Sequence, residues 1–313
     1  MTLKQGGNVV ASQSGWICVH KHGGITSNML LMQLKKLLHC KIGYVGTLDP
    51  FAEGVLPVAL NQACKYIPYL PDSTKEYIFR MFFCYSTDTL DCDGRICAEG
   101  GEIPSASDLE NSLQSFVGTI AQTPPAFSAV KVNGRRAYDV SRNGGTVQLM
   151  PRSVTIQLLE LLEYGECYSK HPALTIKKGC YAKLRCICSS GTYIRSLAVD
   201  LAASLNALCH VDELLRIRSG SFVLAQSFGL EELKEMYYNG NVCDAIQSVE
   251  SALDDIPALY TDDVDDIRYG RSIMCDSTQA DGVFRAFCKK THVFIGLVQS
   301  CGGIVRALRL CAY

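Results

Sequence analysis

The chain has 313 residues, of which 48% are hydrophobic, enough to bury one large core or a large core with a small appendage. Its 30 basic and 31 acidic residues give a formal net charge of −1, so no overall positive field indicates a nucleic-acid partner. No apolar run approaches the roughly 18 residues of a membrane span, so we expect no membrane partner. The 16 scattered cysteines include no CxxC, and the first residues lack a signal-peptide pattern, so we expect a cytoplasmic protein without disulfides or a metal site.

The charge is sorted along the chain. Residues 170–220 hold eight basic and three acidic residues, net +5. Residues 247–266 hold seven acids and no base, and residues 282–313 hold five bases and no acid. This distribution favours one side that faces a polyanion, and the alternative is a chance mixture of solvated surfaces.

The predicted elements begin with a strand at residues 15–20, GWICVH. Thr26 or Ser27 then caps a helix that runs to about His39. Its apolar face is formed by Met29, Leu30, Leu34, Leu37 and Leu38. Residues 43–57, GYVGTLDPFAEGVLP, follow as a loop.

Residues 75–86, KEYIFRMFFCYS, have apolar groups on both faces, which predicts a central strand. Ser107 and Glu110 match a capping box, and Gly118 ends the helix that follows it. Two more strands are predicted at residues 153–163 and 180–190.

Thr192 caps a further helix that reaches about Asn206, and a shorter helix runs from Ser227 to Tyr238. Strands and helices alternate without a βαβ rhythm. The pattern therefore predicts an α+β fold with a mostly antiparallel sheet flanked by helices.

The residue composition changes near residue 250. An acidic segment is followed by three short strand-like pieces, VFRAFCK, HVFIGLVQS and IVRALRL, separated by turns. We therefore predict two domains, residues 1–250 and a small β domain at residues 251–313.

Asp49 is a lone carboxylate in the apolar stretch GYVGTLDPFAEGVLP. Pro50 biases it toward extended geometry, and Gly46 and Gly54 let the backbone come close to another molecule. The carboxylate can thus be displayed from a rigid loop. An Asp turn before proline is the alternative, and this stretch alone does not separate the two.

Arg195, in GTYIRS, favours a role for Asp49. With Thr192 as N-cap, Arg195 lies in the first helical turn, where the helix dipole disfavours a cation by up to about 1 kcal/mol. An anion such as Asp49 or an RNA phosphate would compensate. Pairing would keep Asp49 ionised and oriented, as a carboxylate nucleophile requires. An exposed arginine on a frayed turn is the alternative.

Two aromatic features bear on RNA. Tyr77 starts the central strand, where its ring could fill the core or stack on a base. Residues 123–140, TPPAFSAVKVNGRRAYDV, interleave charge with aromatic rings, which suits single-stranded RNA or an ordinary polar hairpin.

Five stretches together closely resemble the TruB family of pseudouridine synthases: GTLDPFAEGVLP, KEYIF, PPAFSAVKVNGRRAYD, GTYIRS and HVDELLRIRSGSF. The resemblance runs from about residue 14 to residue 309. The family isomerises uridine 55 in the TΨC loop of tRNA, so the resemblance implies this activity and the pseudouridine synthase fold. It also implies a small C-terminal PUA-like domain that grips tRNA.

The resemblance implies roles for particular residues. Asp49 stands at the catalytic aspartate, and Arg195 stands at the arginine that pairs with it. Tyr77 stands at the active-site tyrosine that stacks on the target base and is implicated in proton abstraction, and Leu214 stands at a pocket leucine. Positions near the RNA or the pocket wall are matched by Lys21, Lys131 and Tyr193. We expect a monomer that binds the tRNA TΨC stem-loop and uses no cofactor or metal.

The chain departs from the family at Tyr44 and Val45, where histidine and threonine are usual. The histidine is associated with prising out and supporting the flipped base. We hypothesise that the Tyr44 ring stacks in its place, which makes it a substrate-binding candidate. The alternative function is an RNA-binding or tRNA-folding protein that has lost catalysis.

Overall fold

The computed structural model describes residues 12–311 except 71–72, 129, 133, 143–144, 146–147, 175–176 and 275–279. In these residues the strands, in chain order, are β1 Gly15–Lys21, β2 Ile42–Tyr44, β3 Glu53–Leu60, β4 Lys75–Phe83, β5 Tyr85–Thr87, β6 Ile96–Glu99, β7 Gly118–Gln122, β8 Lys131–Val132, β9 Arg135–Arg136, β10 Arg152–Tyr168, β11 Lys178–Cys188, β12 Cys209–Ser219, β13 Phe222–Val223, β14 Ala258–Thr261, β15 Ile273–Met274, β16 Gly282–Cys288, β17 Phe294–Cys301 and β18 Ile304–Leu310. The α-helices are α1 Ser27–Leu38, α2 Ala106–Leu113, α3 Ala137–Arg142, α4 Ile194–Ala203, α5 Leu230–Asn239 and α6 Val264–Arg268.

A nine-stranded sheet forms the larger part of the molecule. Its order is β1-β3-β12-β4-β11-β10-β7, with β2 paired to β3 and β13 paired to β12. The pairs are antiparallel except β3 with β12, which run parallel. The predicted α+β class and the central position of β4 are confirmed.

Helices cover the sheet over separate parts of the core. The core under α4 and α2 includes Phe79, Leu184 and Leu197, all fully buried. A second core packs α1 and α5 against β1 and β3. Leu48 and Ala52, which lie close to Asp49 in the chain, belong to the first of these cores.

A five-stranded sheet, in the order β14-β16-β17-β18-β15, forms the C-terminal part. It packs on the large sheet through a shared core in which Phe294 and Leu297 meet Trp16. The indole Nε1 of Trp16 donates to Val249 O at 2.9 Å, which fixes the segment that leads into the small sheet. The three predicted C-terminal strands coincide with β16, β17 and β18.

Local details differ from the sequence predictions at helix α1 and in the loop after it. Met29 was predicted on the apolar face of α1, but it is 52% exposed, whereas Leu30, Leu34 and Leu38 are buried. Residues 43–57 are only partly a loop, since Glu53–Leu60 forms β3. Because Ile42–Tyr44 forms β2, the loop itself is residues 45–52.

The cap of α2 also differs from the prediction. It is Ser105 and not Ser107, because the Ser105 hydroxyl accepts from Asp108 N at 3.1 Å. Among the helices in the described residues, none is long and apolar enough to cross a membrane.

Candidate active site

The loop at residues 45–52 is held rigidly by α1 and β1. The Ser27 hydroxyl donates to Leu48 O and accepts from Leu48 N, both at 2.9 Å. The Lys21 ammonium, fully buried, donates to Pro50 O at 3.0 Å and to Ala52 O at 2.6 Å. Asp49 therefore projects from a backbone that is fixed on both sides.

Arg216 of β12 closes the same loop from the opposite side. Its Nε donates to Val55 O at 2.8 Å and its terminal nitrogen to Gly46 O at 2.6 Å. Gly46 and Gly54 both have positive φ, and a Cβ on Gly54 would lie 2.2 Å from Arg216 O. The glycines therefore admit Arg216 of this chain, and the approach of another molecule at Gly46, which lines the cavity described below, stays a prediction.

Asp49 is paired with Arg195. One guanidinium nitrogen of Arg195 lies 2.9 Å from Asp49 Oδ1 and also donates to Phe127 O at 3.1 Å. The Arg195 side chain is 4% exposed and that of Asp49 is 33% exposed. The arginine is thus a buried support, and the carboxylate keeps one face toward solvent or a ligand.

The other terminal nitrogen of Arg195 lies 3.0 Å from Asp91 Oδ2 and 2.7 Å from Thr89 O. Asp91 Oδ1 accepts from the Thr89 hydroxyl at 2.6 Å and from Asp93 N at 3.1 Å. Burial raises the pKa of Asp91 to about 6, although the Arg195 charge opposes this shift. Arg195 therefore bridges two carboxylates, one buried and one accessible.

Asp49 and Arg195 line a cavity of about 440 Å³. Tyr77 of β4 and Leu214 of β12 lie in its wall, together with Tyr193 at the start of α4. This size suits a nucleoside, and the mixture of ring, aliphatic and charged walls suits a base beside a sugar.

Burial raises the pKa of Tyr77, and the Arg216 charge only partly offsets this. The phenol is therefore un-ionised at neutral pH. Lys75, two residues before it, also lines the cavity and donates to Ser73 Oγ at 2.7 Å and Ser219 Oγ at 2.8 Å. A cation is thus present at the rim of the cavity that holds Tyr77.

Tyr44 lies beside a second cavity, of about 530 Å³, on the other side of the Asp49–Arg195 pair. This second cavity also exposes Asp88, Asp91 and Asp93. Tyr44 therefore does not share the cavity of Tyr77 and Leu214, but both cavities open on Asp49.

The remaining predicted site residues have different surroundings. Lys21 was expected near the bound RNA, but its ammonium is enclosed by backbone carbonyls, and burial lowers its pKa to about 8. Lys131 lies in β8, and its side chain is outside the described part of the structure.

The predicted cap of α4 is wrong by one residue. The N-cap is Tyr193, which makes no side-chain cap bond, and the Thr192 hydroxyl donates to Ser189 O at 2.9 Å. Arg195 still falls in the first turn, so the argument from the helix dipole holds.

Sequence reasoning missed Asp91 and Arg216. Asp91 lies in a turn formed by residues 88–94, DTLDCDG, and its carboxylate faces Arg195. Arg216 lies in a run of basic residues and gave no separate signal. A fully buried arginine is identifiable only once its strand register is known.

The basic segment at residues 170–220 is largely neutralised by acids of neighbouring elements. Six of its eight cations form ion pairs, namely Lys170, Lys177, Lys178, Arg185, Arg195 and Arg218. The net positive charge that this segment contributes to the protein surface is therefore much smaller than the count of its basic residues indicated.

Comparison with known proteins identifies the family. Residues 34–194 match the family described as TruB family pseudouridylate synthase (N terminal domain). A tRNA pseudouridine synthase B of a Caulobacter species is 38% identical over 273 residues, covering 86% of this chain and 84% of that protein. The protein of the same name from Francisella tularensis subsp. tularensis is 38% identical over 287 residues, covering 90% of each chain.

Solved structures show the same fold. A chain of a Cbf5-Nop10-Gar1 complex superposes with a TM-score of 0.69 and 25% identity, covering 94% of this chain and 83% of that one. A chain of an H/ACA ribonucleoprotein bound to a substrate RNA containing 2'-deoxyuridine gives a TM-score of 0.70 at 23% identity, covering 95% and 84%. The fold is thus that of the pseudouridine synthases. Within that class, the chain belongs to the TruB family.

Proposed function

We propose that this protein isomerises uridine to pseudouridine at position 55 in the TΨC loop of tRNA, with Asp49 as the catalytic carboxylate. The observation that carries the proposal is the accessible Asp49 carboxylate, held at 2.9 Å by buried Arg195 in the cavity lined by Tyr77 and Leu214. Binding alone gives no reason to hold a carboxylate against an anionic ligand.

The chemistry fits these residues. The glycosidic bond from N1 to C1′ breaks, the base rotates, and a bond from C5 to C1′ forms while C5 loses a proton and N1 gains one. Atoms and electrons balance within the substrate. A carboxylate can attack C1′ or stabilise an oxocarbenium-like C1′, as in glycosidases. Arg195 pairs with Asp49 at 2.9 Å and fixes the direction of its carboxylate.

Tyr77 would contact the base. Its ring can stack on the uracil. Because burial keeps its phenol neutral, its oxygen can accept the C5 proton only if its own proton passes in the same step to N1, the atom that gains one. Leu214 would pack on the same base. Flipping the nucleotide costs a few kcal/mol, which such contacts must offset.

The C-terminal segment, residues 251–313, would grip the tRNA outside the loop as a PUA-like domain. Support comes from its excess of bases over residues 282–313, including exposed Lys289 and Lys290. We expect charge reversal of both lysines to weaken tRNA binding and flatten its salt dependence, with catalysis at saturating tRNA unchanged. An unchanged salt slope would contradict this role.

We further propose that the protein acts as a monomer in the cytoplasm. One chain supplies Asp49, Tyr77, Arg195 and Leu214 to one cavity. The 15 cysteines in the described residues are free thiols, which suits a reducing compartment. Sedimentation with and without tRNA would test the monomer.

The test of activity is incubation with an unmodified tRNA transcript, followed by mapping of pseudouridine. We expect product at the TΨC uridine, none from Asp49→Asn, and product from Asp93→Asn, which removes an exposed carboxylate nearby. Binding without product from the intact protein would favour an RNA-binding or tRNA-folding role. Product from Asp49→Asn would refute the role of the carboxylate.

A further inference from the structure

The connection between β10 and β11 carries a buried histidine, His171, that is 5% exposed. Its Nε2 lies 2.8 Å from Gly94 O, and its Nδ1 lies 3.1 Å from Ala173 N. A backbone N–H can only donate, so Nδ1 is the acceptor and Nε2 carries the hydrogen. His171 therefore donates to the carbonyl of Gly94.

Gly94 closes the turn that contains Asp91. Gly94 N donates to Asp91 O at 3.3 Å, and the same carbonyl accepts from the Thr87 hydroxyl at 2.7 Å. A Cβ on Gly94 would lie 2.3 Å from Thr89 Oγ1, so the turn is packed against itself. A displacement of Gly94 would consequently move Asp91.

His171 is itself fixed to the large sheet. Its backbone N–H donates to Ser169 Oγ at 3.0 Å, and Lys170 N donates to Asp212 Oδ1 at 2.8 Å. Asp212 is 1% exposed and is held by Arg80 at 2.8 Å. The tip of this hairpin is thus a fixed support that contacts the Asp91 turn at Gly94.

We propose that His171 is a positioning residue for the isomerisation: its bond to Gly94 O holds the Asp91 turn so that Arg195 presents Asp49 to the substrate. The inference rests on the proposed function. It extends the site to a residue that touches neither the substrate cavity nor Asp49. Three contacts link the residues in turn: His171 bonds to Gly94, Gly94 bonds to Asp91, and Asp91 pairs with Arg195.

A double-mutant cycle tests this connection by single-turnover rates on saturating tRNA. We expect His171→Leu to lower the rate by about tenfold with the tRNA Kd unchanged, and to change it by less than about twofold in the Asp91→Asn background. His171→Gln keeps an N–H donor and should recover most of the rate. Lys170→Met, on the same hairpin, is the control. Its partner Glu213 also pairs with Arg80, so the substitution does not leave Glu213 without a counter-ion.

Equal losses from His171→Leu in both backgrounds, no loss at all, or a Gln variant as slow as the Leu variant would each overturn the proposal. Hydrogen exchange supplies a readout besides activity: the Cys92 and Gly94 amides should exchange faster in the Leu variant only. If the intact protein forms no pseudouridine, the proposed function fails first, and exchange still shows whether His171 holds the turn.

Discussion

Asp91 and Arg195 form an ion pair of 3.0 Å in which the side chains are 6% and 4% exposed. Such a pair has little net value for stability, since both charges lose their hydration. Its value lies in orientation, because the second nitrogen of Arg195 carries Asp49 at 2.9 Å. Asp91 thus fixes Arg195, the partner of the Asp49 carboxylate that we propose to be catalytic.

Replacement of Asp91 by asparagine should therefore slow catalysis more than it weakens binding. We expect a turnover loss of about 10- to 100-fold, since Arg195 keeps its charge but loses its buried counter-ion. The tRNA Kd should stay within about twofold of the unmodified value. Asp93→Asn removes an exposed carboxylate from the same turn and should leave turnover unchanged. Equal turnover in the two variants would contradict the role of Asp91.

The pH dependence should follow the same residue. Burial raises the pKa of Asp91 from 3.8 to about 6, so the folded protein loses the Asp91 charge as pH falls through about 6. Turnover should fall with it, because neutral Asp91 holds Arg195 less firmly. The folded state binds the proton more tightly than the unfolded state, so this residue makes the fold more stable, not less, as pH falls toward 3.8.

Between pH 6 and 3.8, protonation of Asp91 should thus lower turnover and raise the melting temperature. Both quantities should be measured across this range. The Asp91→Asn variant is the control, because it has no carboxylate to titrate. If turnover of that variant falls in the same way at low pH, a group other than Asp91 causes the fall.

Much of the fold was predictable from residue patterns. The strands at residues 15–20, 75–86 and 180–190 are long and apolar, so tertiary contacts reinforce what local propensity indicates. The Asp49–Arg195 contact was predictable as well, because a cation in a first helical turn needs an anion. Thr26 caps α1 as predicted, but the predicted caps of α2 and α4 were wrong, at α2 because Ser105 and Ser107 lie within one turn of each other.

The supports of the site were not predictable. Lys21 and Arg216 act through backbone carbonyls and Asp91 acts through the Arg195 side chain, in each case between segments far apart in sequence, such as Arg216 beside Gly46. A charged residue that satisfies buried carbonyls has the same local pattern as one on the surface. Its role follows only from register and burial.

Lys21 gives a prediction about stability. Lys21→Met keeps the length of the side chain but leaves Ala52 O without the Lys21 donor and Pro50 O with only Gly24 N, at a cost of about 2 kcal/mol in the free energy of unfolding. Turnover should fall too, because these carbonyls flank Asp49. Urea unfolding measures the first effect, and exposed Lys41→Met is the matched control. If both variants unfold at the same urea concentration, Lys21 does not hold the loop.

Tyr44 is the part of the site that departs from the family. Its ring lines the second cavity, of about 530 Å³, which also borders Asp49. In that cavity the ring would stack on the part of the RNA that lies outside the Tyr77 cavity. We expect Tyr44→Phe to keep turnover and Tyr44→Ala to lose about tenfold, because base stacking on a ring is worth about 1–3 kcal/mol. Tyr44→His should fall between them, since imidazole offers a smaller ring. The ring also packs partly against the core under α1, so melting temperatures must accompany the rates. An alanine variant that turns over as fast as the tyrosine protein would refute stacking and leave Tyr44 a packing residue.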